Sequence, residues 1–142
     1  MPKLPLPPEA DQLLRKANPA VIATLRKDGS PHTAVTWYIW DGDHVLVNMD
    51  ASRVRLKYMR RDPRVSLTVL DAQSWYRQLT VFGRVIEIRD DGDCADIDRL
   101  SVRYTREPFR DRARRRVSAD IELDGWYGWE ASSPWPPESR PA

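Results

Sequence analysis

The chain has 142 residues, of which 41% are hydrophobic and 31% are charged, a balance typical of one compact domain with a hydrophobic core. Its 23 basic and 21 acidic residues leave a net charge of +2, which argues against a protein that coats nucleic acid. The single cysteine, Cys94, has no partner for a disulfide or a metal cluster, so neither is expected.

The N-terminal residues carry no targeting signal. No apolar run is long enough to span a bilayer, and residues 1–8 lack the hydrophobic core of a signal peptide, so we expect a cytoplasmic protein with no membrane partner. Residues 1–8 are also rich in proline and are expected to be mobile. A short helix is predicted at residues 9–17, with Leu13 and Leu14 as its apolar contacts and Asn18-Pro19 as its end.

Three strands joined by tight turns are predicted next. Residues 20–25 form an apolar run rich in β-branched side chains, Asp28-Gly29 is typical of a hairpin turn, and residues 32–40 return as a second strand. A turn at residues 41–43 leads to a third strand at 44–48, which predicts an antiparallel meander. Because residues 32–40 are bulky on both faces, we expect one face to meet the core and the other a ligand or a second subunit.

The segment from Asn48 to Lys57 predicts the end of a strand, a polar turn and the start of a helix. Asp50 or Ser52 is expected to be the N-cap, because each offers a side-chain oxygen to the free amides of a first turn. Free amides and the positive end of the helix dipole favour anions, and Arg53, Arg55 and Lys57 add positive charge there. The motif therefore indicates an anion site of a kind in which a phosphate could sit, with a solvated basic helix face as the alternative.

The second half of the chain predicts three more strands and two helices. The helices are placed at residues 52–61 and after residues 90–93, and the strands at 65–70, 76–89 and 117–123. Gly83 indicates a bulge or the close passage of another backbone. The inward face of the last helix is predicted to consist of Cys94, Ile97, Leu100, Ser101 and Tyr104.

Aromatic and proline residues dominate the C-terminal part of the chain. Trp126, Tyr127 and Trp129 lie between and beside glycines, and since three exposed aromatic rings are costly in water, we expect them to be buried. The proline-rich tail at residues 130–142 is expected to be loose. Together the elements predict a mainly β protein: one domain over residues 1–142, with about six antiparallel strands closed into a barrel beside short helices.

The ordered set of segments resembles the pyridoxamine-phosphate-oxidase-like split β-barrel superfamily. More closely, it resembles the branch that uses the deazaflavin coenzyme F420, flavin/deazaflavin oxidoreductase family B. The resemblance covers most of residues 20–105. It is carried by residues 23–31, Trp37 with 41–48, Arg53-Val54-Arg55, 60–67, Tyr76-Arg77 and 83–85.

The resemblance implies a homodimer with two cofactor sites at the subunit interface. The ring of F420 would lie against the barrel strands, and basic residues at the helix start would hold its phosphate. Arg53 matches the family's phosphate-binding arginine, Arg55 stands where lysine is commoner, and Tyr58 stands where asparagine is usual. The residues expected to bind the cofactor are Pro31, His32, Thr36, Trp37, Asn48, Met49, Arg53, Arg55, Lys57, Tyr58, Tyr76 and Arg77.

The activity implied is hydride transfer between F420 and a small conjugated or quinone-like acceptor. A deazaflavin carries the difficult chemistry itself, which agrees with a sequence that contains no evident nucleophile or acid–base pair. Tyr38, Tyr76 or solvent could donate a proton, and the sequence does not select among them. The alternatives are an FMN-binding member of the same superfamily and a carrier that binds F420 without turnover.

Several of these residues also have plain structural interpretations. One of Trp37 and Tyr38 is expected to pack in the core or the dimer interface, because neighbouring residues of a strand point to opposite faces. Tyr76 and Arg77 could equally form an exposed pair that closes a loop. The basic run at residues 110–116 could hold the polyglutamate tail of F420, but a solvated loop is favoured because Asp111 interrupts the positive charge.

Overall fold

The computed structural model describes residues 4–139. Within this range it contains three α-helices, eight strands and one 3₁₀ turn, in the chain order α1 Pro8–Arg15, β1 Ala20–Leu25, β2 Pro31–Thr36, β3 Ile39–Trp40, β4 Val45–Asp50, α2 Val54–Arg61, β5 Arg64–Asp71, β6 Ser74–Asp90, α3 Ala95–Thr105, β7 Arg116–Glu130, β8 Ser133–Pro134 and the 3₁₀ turn Pro137–Ser139. None of the helices in this range is long and apolar enough to cross a membrane.

All strand pairs are antiparallel, in the order β2-β1-β5-β6-β7-β4-β3, and β8 pairs with β7. The predicted mainly β fold is therefore confirmed. Strands β3 and β8 are only two residues long. The six longer strands correspond to the six predicted ones. The hydrophobic core runs from Leu14 of α1 through Ile22, Val47 and Val69 to Trp135 near the end of the described chain.

The predicted meander is wrong, because residues 32–40 do not form one strand. They divide at Trp37–Tyr38 into β2, which pairs with β1, and β3, which pairs with β4 at the opposite end of the strand order. Tyr38 is completely buried at this crossing, and its hydroxyl donates to the backbone oxygen of Lys16 at 3.0 Å. Alternation of side chains continues through such a crossing, so the sequence pattern does not reveal it.

Gly83 lies at the irregularity predicted for it. The register between β6 and β7 shifts at Phe82/Gly83. A Cβ on Gly83 would overlap the backbone oxygen of Glu122 and lie 2.8 Å from its carbonyl carbon and 2.9 Å from the Cα of Leu123. The neighbouring backbone therefore passes where any other side chain would begin, and the predicted close passage is confirmed.

The C-terminal part is more ordered than the sequence suggested. Strand β7 continues past residue 123 to Glu130 and pairs with β6 along this extension. Trp126 is buried as predicted, but Tyr127 and Trp129 are 45% and 39% exposed, so the prediction is wrong for these two rings in the single chain.

The expectation of a loose tail is wrong for Ser133 to Trp135. Strand β8 pairs with β7, and the indole of Trp135 is 4% exposed beneath the guanidinium of Arg77, 5.2 Å from the ring centre. The proline content of the tail does not reveal the large apolar area that the indole of Trp135 buries. Residues 140–142 and 1–3 lie outside the described residues, and the mobility of residues 1–8 stays a prediction.

Candidate functional site

The turn before α2 uses Asp50 differently from the prediction. Its Oδ1 accepts hydrogen bonds from the backbone amide of Ser52 at 2.8 Å and from the Ser52 hydroxyl at 2.6 Å. Both bonds hold the pKa of the Asp50 carboxyl below its ordinary value, and the bond from the hydroxyl has the larger effect. Arg53 is the N-cap of α2, and no described side chain caps the helix. The predicted capping by Asp50 or Ser52 is wrong, because both side chains are occupied by the turn that precedes the helix.

Arg55 and Lys57 of α2 face two separate concavities. Residues two apart on a helix point in nearly opposite directions, so Arg55 and Lys57 do not act together. Arg55 lines what we call the Arg55 cavity, of about 260 Å³, together with Val35, Thr36, Trp37, Asn48, Ile97, Leu100, Phe109 and Arg116. Lys57 lines what we call the Lys57 groove, of about 600 Å³, together with Arg26, Lys27, Asp28, Tyr58 and Arg61.

Arg55 is a partly buried cation that has no counterion among the described residues. Its Nε is buried and has no hydrogen-bond partner in the described part of the chain, and its Nη2 lies 3.5 Å from the backbone oxygen of Asn48. Burial lowers the pKa of the guanidinium, and the neighbouring charges of Arg53 and Arg116 lower it further. An unpaired charge in such a place is unfavourable, so the cavity suits an anion that arrives from outside the chain.

Arg116, the first residue of β7, supplies a second guanidinium to the same cavity. Its Nε donates to the side-chain oxygen of Asn48 at 3.0 Å, and its guanidinium lies 4.8 Å from the ring centre of Phe109. Arg116 was not among the predicted site residues, because residues 110–116 were predicted to form a solvated loop. Its position just before the alternating strand of residues 117–123 was the available signal, since strand alternation places it on the same face as Ser118.

Asn48 joins the cavity to helix α3 through a buried polar network. The side-chain amide of Asn48 donates to Asp91 Oδ2 at 3.1 Å and to Ser118 Oγ at 2.9 Å. Asp91 in turn accepts from the backbone amides of Asp96 and Ile97, at 3.0 and 2.9 Å. Asn48, Asp91 and Ser118 are all buried, so the network fixes β4, β7 and α3 around the cavity.

Aromatic rings form one wall of the Arg55 cavity. Trp37 stacks on Tyr104 with ring centres 5.4 Å apart and an angle of 9°, and Phe109 meets Trp37 edge-on at 6.2 Å. Such a wall can receive a planar group. Tyr38, by contrast, is the member of the Trp37/Tyr38 pair that packs in the core. Burial raises the pKa of Tyr38. Its hydroxyl is buried and already donates to the backbone oxygen of Lys16, so it is not placed to donate a proton to a ligand.

The remaining predicted site residues are scattered. His32 meets Tyr58 edge-on at 5.5 Å beside the Lys57 groove, and its Nδ1 is buried without a partner among the described residues. Pro31 is exposed, and Met49 is 1% exposed within the core. Arg53 is exposed at the start of α2 and lines neither concavity.

Tyr76 and Arg77 also lie away from both concavities. Tyr76 stacks on Trp75 with ring centres 4.7 Å apart, and both rings are exposed. Arg77 forms an ion pair with Glu130 at 3.0 Å and covers Trp135. The structure therefore brings together only four of the twelve predicted residues at the Arg55 cavity: Thr36, Trp37, Asn48 and Arg55.

The last helix and the cysteine differ in one detail from the prediction. Ile97, Leu100 and Ser101 are buried on the inward face of α3 as expected. Cys94 is instead the N-cap of this helix, half-buried and in a left-handed conformation with φ of 61°. Among the described residues, no group of three or more His, Cys, Asp or Glu side chains could hold a metal ion.

Comparison with known proteins identifies the family. The sequence model of the pyridoxamine 5'-phosphate oxidase family matches residues 6–130. The chain belongs to this family. A solved structure described as an F420 reductase is 29% identical and superposes with a TM-score of 0.77, covering 85% of this chain and 98% of its own.

Two more distant structures share the family's fold. A conserved hypothetical protein from Mycobacterium tuberculosis is 23% identical, with a TM-score of 0.67 over 91% of this chain and 87% of its own. General stress protein 26 from Bacillus anthracis is 17% identical, with a TM-score of 0.61 over 85% of this chain and 91% of its own. Comparison with curated proteins found no match.

Proposed function

We propose that the protein is an F420-dependent oxidoreductase that reduces a small conjugated or quinone-like acceptor at a homodimer interface. Membership of the pyridoxamine 5'-phosphate oxidase family supports an oxidoreductase of the flavin or deazaflavin type. The likeness to an F420 reductase favours the deazaflavin. The observation that carries the proposal is the half-buried Arg55 guanidinium, which has no counterion in the described part of the chain.

The residues present fit the phosphate of such a cofactor. A phosphate group carries negative charge and strong acceptor oxygens, and the planar fork of Arg55 matches those oxygens. Arg53 would add positive charge near Arg55 without lining the cavity, Asn48 and Thr36 would offer polar contacts, and Trp37 would provide a planar wall. F420, when bound, supplies the hydride; the protein holds it, orients its ring and keeps water away.

The Lys57 groove gives a second set of contacts. Lys57 and Tyr58, with His32 behind them, would meet an anionic part of the cofactor that extends past α2. Pro31 and Met49 would contribute through their backbone, because the Met49 side chain is buried in the core. These assignments, like that of the phosphate, are proposals about cofactor binding.

Tyr76 and Arg77 would reach a cofactor only from the second protomer of the proposed homodimer, since they line neither concavity of their own chain. Exposed rings on the same part of the molecule support a covered surface there: Trp75, Tyr76, Tyr127 and Trp129 are between 39% and 64% exposed. Aromatic residues of this kind are enriched in subunit interfaces.

Turnover with reduced F420 tests the proposal. The purified protein is mixed with reduced F420 and a panel of quinones and conjugated carbonyl compounds, and cofactor oxidation is followed by absorbance. We expect saturable oxidation with at least one acceptor, a large loss in Arg55→Ala, and unchanged rates in the matched control Arg115→Ala, whose side chain pairs with Asp90 on the surface. F420 binding without any oxidation would support a carrier instead, and tight FMN binding without F420 binding would support a flavoprotein.

A further inference from the structure

Arg116 differs from the other arginines of its basic run. Arg110 lies 4.0 Å from Glu107, Arg112 pairs with Asp98 at 2.9 Å, Arg114 lies 3.5 Å from Asp50 and 3.6 Å from Asp111, and Arg115 pairs with Asp90 at 2.8 Å. Arg116 forms no ion pair with any described carboxylate. The other arginines of the run are thus neutralised, whereas this guanidinium, which lines the Arg55 cavity, has no counterion among residues 4–139.

The guanidinium of Arg116 is nevertheless held in place. Its Nε is bonded to Asn48 Oδ1 at 3.0 Å and its face lies over Phe109. The Asn48 amide has only one orientation that satisfies both ends, because its nitrogen donates to Asp91 and Ser118 while its oxygen accepts from Arg116. The two terminal nitrogens of Arg116 have no hydrogen bond to any described residue, so the fork is oriented and its donors are free.

Arg55 and Arg116 are unfavourable neighbours in the absence of an anion. Each repels the other, and burial lowers the pKa of both groups, with the carboxylates of Asp50, Asp111 and Asp91 acting in the opposite direction on Arg116. Proteins rarely leave two partly buried cations together unless a partner neutralises them. Two forks that converge on one cavity match a phosphate group, which offers acceptor oxygens to both of them.

We propose that Arg116 is the second anion-binding residue of the Arg55 cavity, completing with Arg55 a two-guanidinium site for a phosphate group, and that Asn48 is its positioning residue. The proposal rests on the proposed function only in taking the anion to be the phosphate of the cofactor. It adds a residue outside the α2 cluster, and it assigns to Asn48 the task of orienting an arginine.

Inorganic phosphate tests the site independently of the cofactor. Arginine Nε–Hε resonances of the ¹⁵N-labelled protein are followed by NMR during phosphate titration, with sodium chloride at matched ionic strength as the reference. We expect saturable shifts of the Arg55 and Arg116 resonances, assigned by their loss in Arg55→Gln and Arg116→Gln.

Variants complete the test. Arg116→Gln should weaken phosphate binding by about 10- to 100-fold, Arg116→Lys should weaken it less because the charge remains, and Arg115→Gln should leave it unchanged. Asn48→Ala should also weaken phosphate binding, although both arginines keep their charge. If the rest of the NMR spectrum is native, the loss reflects the orientation of Arg116 and not unfolding. Should Asn48→Ala fail to fold, the two Arg116 variants still decide the proposal.

The outcomes separate this proposal from the proposed function. If Arg116→Gln binds phosphate and F420 like the unaltered protein while Arg55→Gln binds neither, the Arg116 proposal is overturned and the F420 function stands. If both arginines are needed for phosphate but the protein binds no F420, the two-guanidinium site stands and the proposed function fails. Shifts that spread over all surface arginines without saturation would overturn the site itself.

Discussion

Replacing Gly83 with alanine places a methyl group against the backbone of β7. The added Cβ would overlap the carbonyl oxygen of Glu122 and lie 2.9 Å from the Cα of Leu123. All of the contacted atoms belong to the backbone, so β6 and β7 must separate locally and strain the ladder at their bulge. Overpacking of this kind costs about 1–3 kcal/mol, and weakening one or two ladder hydrogen bonds adds about 1 kcal/mol.

Thermal unfolding of Gly83→Ala measures this cost. A loss of about 2–4 kcal/mol should lower the midpoint by roughly 6–15 °C in a domain of this size. Gly92→Ala is the matched control, because no atom lies within 4 Å of a Cβ at that position, and it should change the midpoint little. A Gly83→Ala midpoint equal to that of the control would refute the close approach of the two backbones.

Three further predictions concern single side chains. Asp62→Asn should flatten the acid side of the profile of stability against pH, because bonding to Arg64 lowers the carboxyl pKa from 3.8 to about 2. The stabilisation is present above pH 3.8 and is lost as the pH falls through about 2. An unchanged profile of unfolding midpoint against pH would contradict this prediction. Trp135→Ala should lower the unfolding free energy by about 3–5 kcal/mol in urea denaturation, against less than about 1 kcal/mol for Val102→Ala on the exposed face of α3; equal losses would argue that the C-terminal segment is loose. Tyr38→Phe should cost about 1 kcal/mol of stability but leave steady-state F420 turnover within about twofold, whereas a loss of about 100-fold would identify the buried hydroxyl as a proton donor.

Much of the fold could be predicted because strand and turn signals are local. The apolar run at residues 20–25, the Asp28-Gly29 turn and the alternation at residues 65–70 coincide with β1, the first hairpin and β5. Gly83 was predictable because a glycine inside a strand usually marks a close approach. What failed was pairing over long distances: the chain crosses between the two ends of the strand order at Trp37–Tyr38, and alternation alone does not show that.

The candidate site was predicted less completely because it is assembled from distant segments. Arg55 was found from its position at a helix start, but the helix then separates it from Lys57, and this depends on where α2 begins. Arg116 lies 61 residues further along the chain and joins Arg55 through the antiparallel pairing of β4 and β7, in which Asn48 faces Ser118. A charge count over residues 110–116 could not show that the other four arginines are paired with carboxylates while Arg116 faces the cavity.

Equilibrium titration of the purified protein with F420 and with FMN, followed by fluorescence, tests cofactor choice and the role of Arg55 together. We expect saturable binding of F420 that is tighter than that of FMN, and a loss of affinity of about 10- to 100-fold in Arg55→Ala but not in Arg115→Ala. Unchanged F420 affinity in Arg55→Ala would place the phosphate elsewhere. Tight binding of FMN together with no binding of F420 would contradict the proposed function itself.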